Sequence, residues 1–270
     1  MSHEVNLNKF NLRTDLIDEI STKNKEINKD NIKINDIYLT KEEAKIIKKK
    51  EGRYITISFN DITDIDSRNK IINIFKEILK KLIKNLTIKE SCLVIGLGNI
   101  KSTADSLGPK TIENIITTKH IYDYSNLDKD FKIVSSFIPG VTGITGIDTF
   151  SLIKSVIKTV KPDFVIVIDS LKASNIDRLN KTIQITDTGI HPGSGVGSNR
   201  KELSYKTLKI PVIAIGVPTV INASNITSNY MNNNINDMIV TPKEIDFIID
   251  NLSYILSNGI NMSLHKKLDK

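Results

Sequence analysis

A chain of 270 residues, 39% of them hydrophobic, is long enough to bury a full core in one large or two small domains. Its 38 basic and 31 acidic residues leave a formal charge of +7, but the lysines are dispersed apart from Lys48 to Lys50 and the stretch 76–84. With no helix-turn-helix pattern and no aromatic-basic interleaving, the charge reads as solvated faces rather than a nucleic-acid surface. No run of about 18 apolar residues exists, so no membrane span is expected. The N-terminal sequence lacks the apolar centre of a secretory signal, which makes an intracellular location the expectation.

In chain order, residues 1–15 are polar and without period, and read as a mobile or loosely docked leader. A short helix is expected from Leu16, then a Lys/Asn-rich stretch to about 36. The alternation of RYITISF at 53–59 predicts a strand. Residues 67–86 predict the clearest helix, since Ile71, Ile72, Phe75, Ile78, Leu79, Leu82, Ile83 and Leu86 recur at three and four. A strand at 92–96 follows, with Cys92, the single cysteine, as a buried structural thiol. Pro109 suits the first turn of a helix to about Lys119, with Ile112, Ile115 and Ile116 facing inward.

Strand 132–138 and a flexible loop at 139–146 come next, then a helix through Phe150, Ile153, Ile157 and Val160 that Pro162 stops. The run 164–168 is apolar on both sides, as in a central parallel strand. Further strands are expected at 182–185 and 210–217. The last helix is expected to start at Thr241-Pro242-Lys243-Glu244, with Thr241 as N-cap and Pro242 at the first position. Alternating strands and helices without a sharp linker predict a single α/β domain, with a mostly parallel central sheet flanked by helices.

In such sheets chemistry collects at the carboxyl ends of the strands. The stretch CLVIGLGNIKSTADSLGP at 92–109 carries Asp105 in that position, and FVIVID at 164–169 ends on Asp169. Gly96 and Gly98 invite comparison with a dinucleotide fingerprint, but position 101 is lysine and no helix follows at once. Two carboxylates in one crevice provide a proton donor and a base, enough to activate water against an amide. The same pair could hold a divalent ion with a third ligand such as His191, and the sequence leaves both uses open. The glycine-rich loop at 186–197 is either a tight surface loop or a backbone laid against substrate, with His191, Gly193, Ser194 and Gly195 as its candidate residues. A Ser194–His191 pair lacks the Gly-x-Ser-x-Gly elbow, and no His-x-x-x-His pair for zinc is present.

With these residues in view, the chain resembles the germination protease (spore protease) family, related in fold to the hydrogenase maturation endopeptidases and so phosphorylase/hydrolase-like. The likeness is carried by Arg13-Thr14-Asp15-Leu16, GLGN at 96–99, Asp105 with LGP at 107–109, and PGVTGITGIDT at 139–149. It continues through VIVIDSL at 165–171, TIQITDTGIHPGSGVG at 182–197, IPVIAIGVPTV at 210–220 and TPKEID at 241–246. The resemblance implies an endopeptidase made as a zymogen, which cuts small acid-soluble DNA-coating spore proteins at germination. It implies a homotetramer in the forespore and spore core, with no cofactor, no metal, no direct nucleic-acid contact and no membrane. It also implies Asp105 and Asp169 as the catalytic pair and the Asp15–Leu16 bond as the self-processing point, hence a propeptide 1–15 and an endopeptidase domain 16–270.

The chain departs from the family pattern at Ile100 and Ala104, where relatives commonly carry an aromatic and a proline. It is also shorter than many relatives, lacking a middle insertion between about 120 and 132. Two other functions fit the same residues: a metal-dependent maturation-type endopeptidase, and a non-enzymatic module that binds spore proteins or nucleic acid.

Overall fold

The computed structural model describes residues 25–47, 49–86, 90–125, 128–193, 201–226 and 238–269. They form a single α/β unit around one nine-stranded sheet. The strands are β1 (Lys25–Lys29), β2 (Ile32–Leu39), β3 (Gly52–Ser58), β4 (Ser91–Gly96), β5 (Ile133–Phe137), β6 (Phe164–Ala173), β7 (Thr182–Thr186), β8 (Val212–Asn222) and β9 (Ile239–Val240). Their spatial order is β1-β2-β3-β7-β8-β6-β4-β5, with β9 on the end of β8. The sheet is mixed rather than mostly parallel: the three pairings among β5, β4, β6 and β8 are parallel, and the other five are antiparallel.

Helices cover both faces. On one lie α2 (Ile65–Lys84), α3 (Leu107–Glu113) and α9 (Ile245–Leu264), packed against Cys92, Val94, Phe164, Ile166 and Ile168 in the larger core. On the other lies α6 (Thr149–Val160), whose Ile153 and Ile157 meet Leu93, Ile95, Val165 and Val167. Alternate residues of β4 and β6 thus enter opposite cores, which explains why both strands read as unbroken apolar runs. Helix α2 matches its periodicity, and the wholly buried Phe75 and Leu79 each contribute roughly 2 kcal/mol of transfer free energy. Cys92 is buried as expected, and burial pushes its thiol pKa up.

Several expectations are corrected. The Lys/Asn-rich stretch holds the hairpin β1–β2, turned by Asp30 and Asn31, both at positive φ (53° and 64°). A mirror-image turn of that kind follows the twist of the strands. Helix α1 (Lys41–Ile46) follows, begun by a capping box between Thr40 and Glu43. Helix α3 begins at Leu107, two residues before Pro109, and ends at Glu113, leaving Ile116 exposed; a separate short helix, α4 (Lys119–Tyr124), begins where α3 was expected to stop. The loop 139–146 contains a helical turn, α5 (Thr142–Thr145). Strand β6 runs on to Ala173, so Asp169 sits inside it rather than at its end. Helix α9 starts at Ile245, after Glu244 rather than Thr241. The Thr241 hydroxyl donates instead to the carbonyl of Thr219 in β8 (2.8 Å). Helix α7 (Tyr205–Leu208) and helix α8 (Ala223–Ile226) complete the set.

Candidate active site

The chain leaves β4 toward α3 on one face and leaves β5 toward α6 on the other. A crevice therefore opens at the carboxyl ends of the parallel strands. Gly96, Gly98 and Gly108 shape its floor. A Cβ on Gly108 would lie 2.2 Å from the Leu97 carbonyl oxygen, so the strand end and the helix start touch through backbone alone. These glycines serve close packing and not a pyrophosphate.

Asp105 closes a 3-10 turn, Thr103–Asp105, folded back on the strand end. The Asn99 amide donates to the Asp105 carbonyl (2.9 Å), and the Asp105 amide donates to the Ser102 carbonyl (2.8 Å). Gly98 has φ +120°, and a Cβ there would sit 2.0 Å from the Asp105 carbonyl oxygen and 3.2 Å from its Oδ1. Asp169 is 6% exposed and pairs in register with Gly216 of β8. Its Oδ1 accepts from the Ser170 amide (3.0 Å). The Leu97 amide donates to the Ile168 carbonyl (2.8 Å). Leu97-Gly98 is thus in contact with both the turn that ends on Asp105 and the residue before Asp169.

From Leu97 and Gly98 a cleft extends over Gly140, Thr142, Phe150, Pro192 and Lys201. The Lys201 ammonium stands 5.4 Å from the centroid of the Phe150 ring, a favourable seat for a cation. Asp105 borders this cleft through Gly98, Asp169 follows the Ile168 that bonds Leu97, and neither lines it.

The described start of the glycine-rich loop reaches the cleft at Pro192. His191 is exposed and its Nε2 lies 2.8 Å from Glu202 Oε2, the oxygen that also takes Lys50 Nζ at 2.7 Å. Ser204 Oγ donates to the other oxygen (2.8 Å). Gly193 has φ +71°, in keeping with a turn that needs glycine. Ser194 and Gly195, like Asp15, Leu16 and the whole leader, lie outside the described residues. Among the described residues no group of three or more His, Cys, Asp or Glu could hold a metal ion, and no helix is long and apolar enough to cross a membrane.

Sequence reasoning missed Glu202. Burial alone would push its carboxyl up, but the hydrogen bonds from Lys50 and Ser204 and the charges of Lys50 and His191 hold it below the usual glutamate range. A depressed carboxylate stabilises the fold above its unfolded pKa, and that stabilisation is lost as pH falls through the folded pKa. Glu202→Ala is therefore expected to cost about 1–2 kcal/mol at pH 7. The difference from the parent should shrink as pH falls below the ordinary glutamate pKa and vanish only below the depressed folded pKa. Melting curves at both pH values check this, and a penalty that persists in acid would assign Glu202 a packing role instead.

The chain matches the family model described as Germination protease over residues 2–236. It is 36% identical to the germination protease of Bacillus subtilis, over 99% of this chain and 97% of that protein. It is 44% identical to the one from Priestia megaterium, over 85% of this chain and 68% of that protein. Against the germination protease of Clostridium tetani the identity is 37%, covering 91% and 88%. Among solved structures it is similar to the [NiFe] hydrogenase maturation protease HycI from Thermococcus kodakarensis, with a TM-score of 0.37 and 13% identity over 68% of this chain and 98% of that one.

Proposed function

The chain belongs to the germination protease family, and we propose that it is a self-processing endopeptidase that cuts small acid-soluble spore proteins by means of Asp105 and Asp169. The observation that carries this reading is the shared contact at Leu97-Gly98: its backbone touches both the turn that ends on Asp105 and the residue before Asp169. Asp105 is half-buried and Asp169 buried, so each carboxylate is partly withdrawn from water. In the proposed step the pair holds one proton. The ionised carboxylate takes a proton from water, the oxygen adds to the scissile carbonyl, and the protonated partner delivers its proton to the leaving amine.

Incubation with a small acid-soluble spore protein, followed by mass mapping of the fragments, tests the activity. A single early internal cut is expected, and an intact substrate would remove the proposal. Activity that a chelator abolishes and a divalent ion restores would move the same carboxylates into a metal site. Salt-sensitive nucleic-acid binding without proteolysis would favour a binding module.

The family's processing sequence matches Arg13-Thr14-Asp15-Leu16, so the proposal includes a zymogen whose leader, residues 1–15, limits substrate access. Matured protein should begin at Leu16 on N-terminal sequencing, and the full-length chain should cleave at least about tenfold more slowly, as expected where the site is obstructed rather than rebuilt. A different first residue would overturn the processing point, and equal rates would overturn the zymogen. The reading also includes a homotetramer in the spore core; light scattering at the mass of one chain, 30.3 kDa, would remove the tetramer.

A further inference from the structure

Strand β8 contains one residue more than its partner needs. Leu171 of β6 pairs with Pro218 and Lys172 with Val220, leaving Thr219 without a partner in the register. A β-bulge of this kind re-aims a side chain, and bulges are frequent beside active sites. Thr219 is wholly buried. Its hydroxyl donates to the carbonyl of Ala104 (2.6 Å), the peptide that leads directly into Asp105. Its own carbonyl is held in turn by the Thr241 hydroxyl (2.8 Å). The same strand faces Asp169 three residues earlier, at Gly216. One strand therefore pairs with the strand that carries Asp169 and fastens the turn that carries Asp105.

We infer that Thr219 is a positioning residue for the aspartate pair: its hydroxyl fixes the Ala104–Asp105 peptide relative to β6 and so sets the approach of Asp105 to Asp169. This rests on the aspartate reading above. The Asp105 turn has its own internal hydrogen bond and is held to the end of β4 through the Asn99 amide, so it can form without Thr219; the bond from Thr219 adds a tie to the neighbouring part of the sheet. The Ala104 carbonyl ties it across to β8. Loss of that tie displaces a reacting carboxylate without removing it, and displacements of about 1 Å cost on the order of 10²-fold in rate.

The test uses the proposed mature form, residues 16–270, produced directly so that no variant depends on leader removal, with a small acid-soluble spore protein as substrate, and measures kcat, KM and melting temperature for Thr219→Val, Thr219→Ser and Asp105→Asn. Valine keeps the shape and removes the hydroxyl; serine keeps the hydroxyl. Thr219→Val is expected to lower kcat roughly 10- to 100-fold, with KM within about twofold because substrate contacts are untouched. Thr219→Ser is expected to recover most of the lost rate. A Thr219→Val enzyme with parental kcat overturns the inference. So does a Thr219→Ser enzyme as slow as the valine variant, since packing and not the hydroxyl would then matter. If the valine variant does not fold, Thr219→Ser alone decides: near-parental kcat supports the inference and a tenfold loss overturns it. Failure of the aspartate reading looks different, because Asp105→Asn would then remain active whatever Thr219 does.

Discussion

Replacing Asp105 or Asp169 by asparagine is expected to abolish cleavage of a small acid-soluble spore protein while leaving the melting temperature nearly unchanged. Asparagine preserves the outline of the side chain, and its amide oxygen can still accept the Ser170 amide that Asp169 Oδ1 accepts now (3.0 Å). What it loses is the capacity to take and return a proton. General acid–base groups contribute on the order of 10²–10⁴ to rate, and each single variant should fall by about that factor in kcat. Because the two carboxylates are proposed to share one proton, removing the second adds little, and the double variant should be barely slower than either single one. The pH profile of the parent should show two apparent pKa values that belong to the pair. Leader removal should fail in the same variants. Near-parental cleavage by either single variant would end the paired mechanism, and a large fall in melting temperature would mean that the carboxylate holds the fold together.

What was legible in the sequence is what local periodicity encodes. Helix α2 shows its buried face every third and fourth residue, and β4 and β6 show themselves as apolar runs covered on both sides. The hairpin β1–β2 escapes the periodicity reading because lysine and asparagine fall on both of its faces and interrupt the apolar alternation, although Ile27, Ile34, Ile37 and Leu39 and the Asp30-Asn31 turn are available signals. The capping box Thr40–Glu43 was equally readable. The start of α9 was misjudged for a tertiary reason: Thr241 has the residue type of a cap, but its hydroxyl is spent on β8.

The candidate site divides in the same way. Asp105 and Asp169 could be picked from the ends of apolar runs, since strand ends in an α/β sheet are where loops meet. Thr219 could not, because its hydroxyl partner is set by how β8 registers against β6. The one hint was Pro218, since proline inside an apolar run marks an edge or a bulge. Glu202 was hidden because Lys50, its partner, comes from the far side of the sheet sequence and meets it only in the fold. The antiparallel half of the sheet shows only as the polar–apolar alternation of β3 and β7, which the longer apolar runs of β4, β6 and β8 outweigh.

Gly98→Ala is expected to be among the most damaging single methyl additions at the described glycines. At φ +120° Gly98 occupies a conformation that L residues rarely adopt, and such strain costs about 1–3 kcal/mol by itself. The added Cβ would also sit 2.0 Å from the Asp105 carbonyl oxygen, well inside contact distance, and that oxygen is backbone with no rotamer to yield. Relief requires the 3-10 turn to move away from β4. That movement would break the Asn99–Asp105 hydrogen bond (2.9 Å) and carry the Asp105 carboxylate with it. For a chain of this size each kcal/mol shifts the melting temperature by about 2–4 °C, so a fall on the order of 10 °C is expected. At temperatures where the variant is still folded, kcat should be down about 10²-fold or more. Gly146→Ala separates strain from displacement: its φ is +70° but a Cβ there meets nothing within 4 Å, so it should cost only about 1 kcal/mol and a few degrees. If Gly98→Ala matches Gly146→Ala in melting temperature and retains parental kcat, the turn yields freely and the position of Asp105 does not depend on the backbone beneath it.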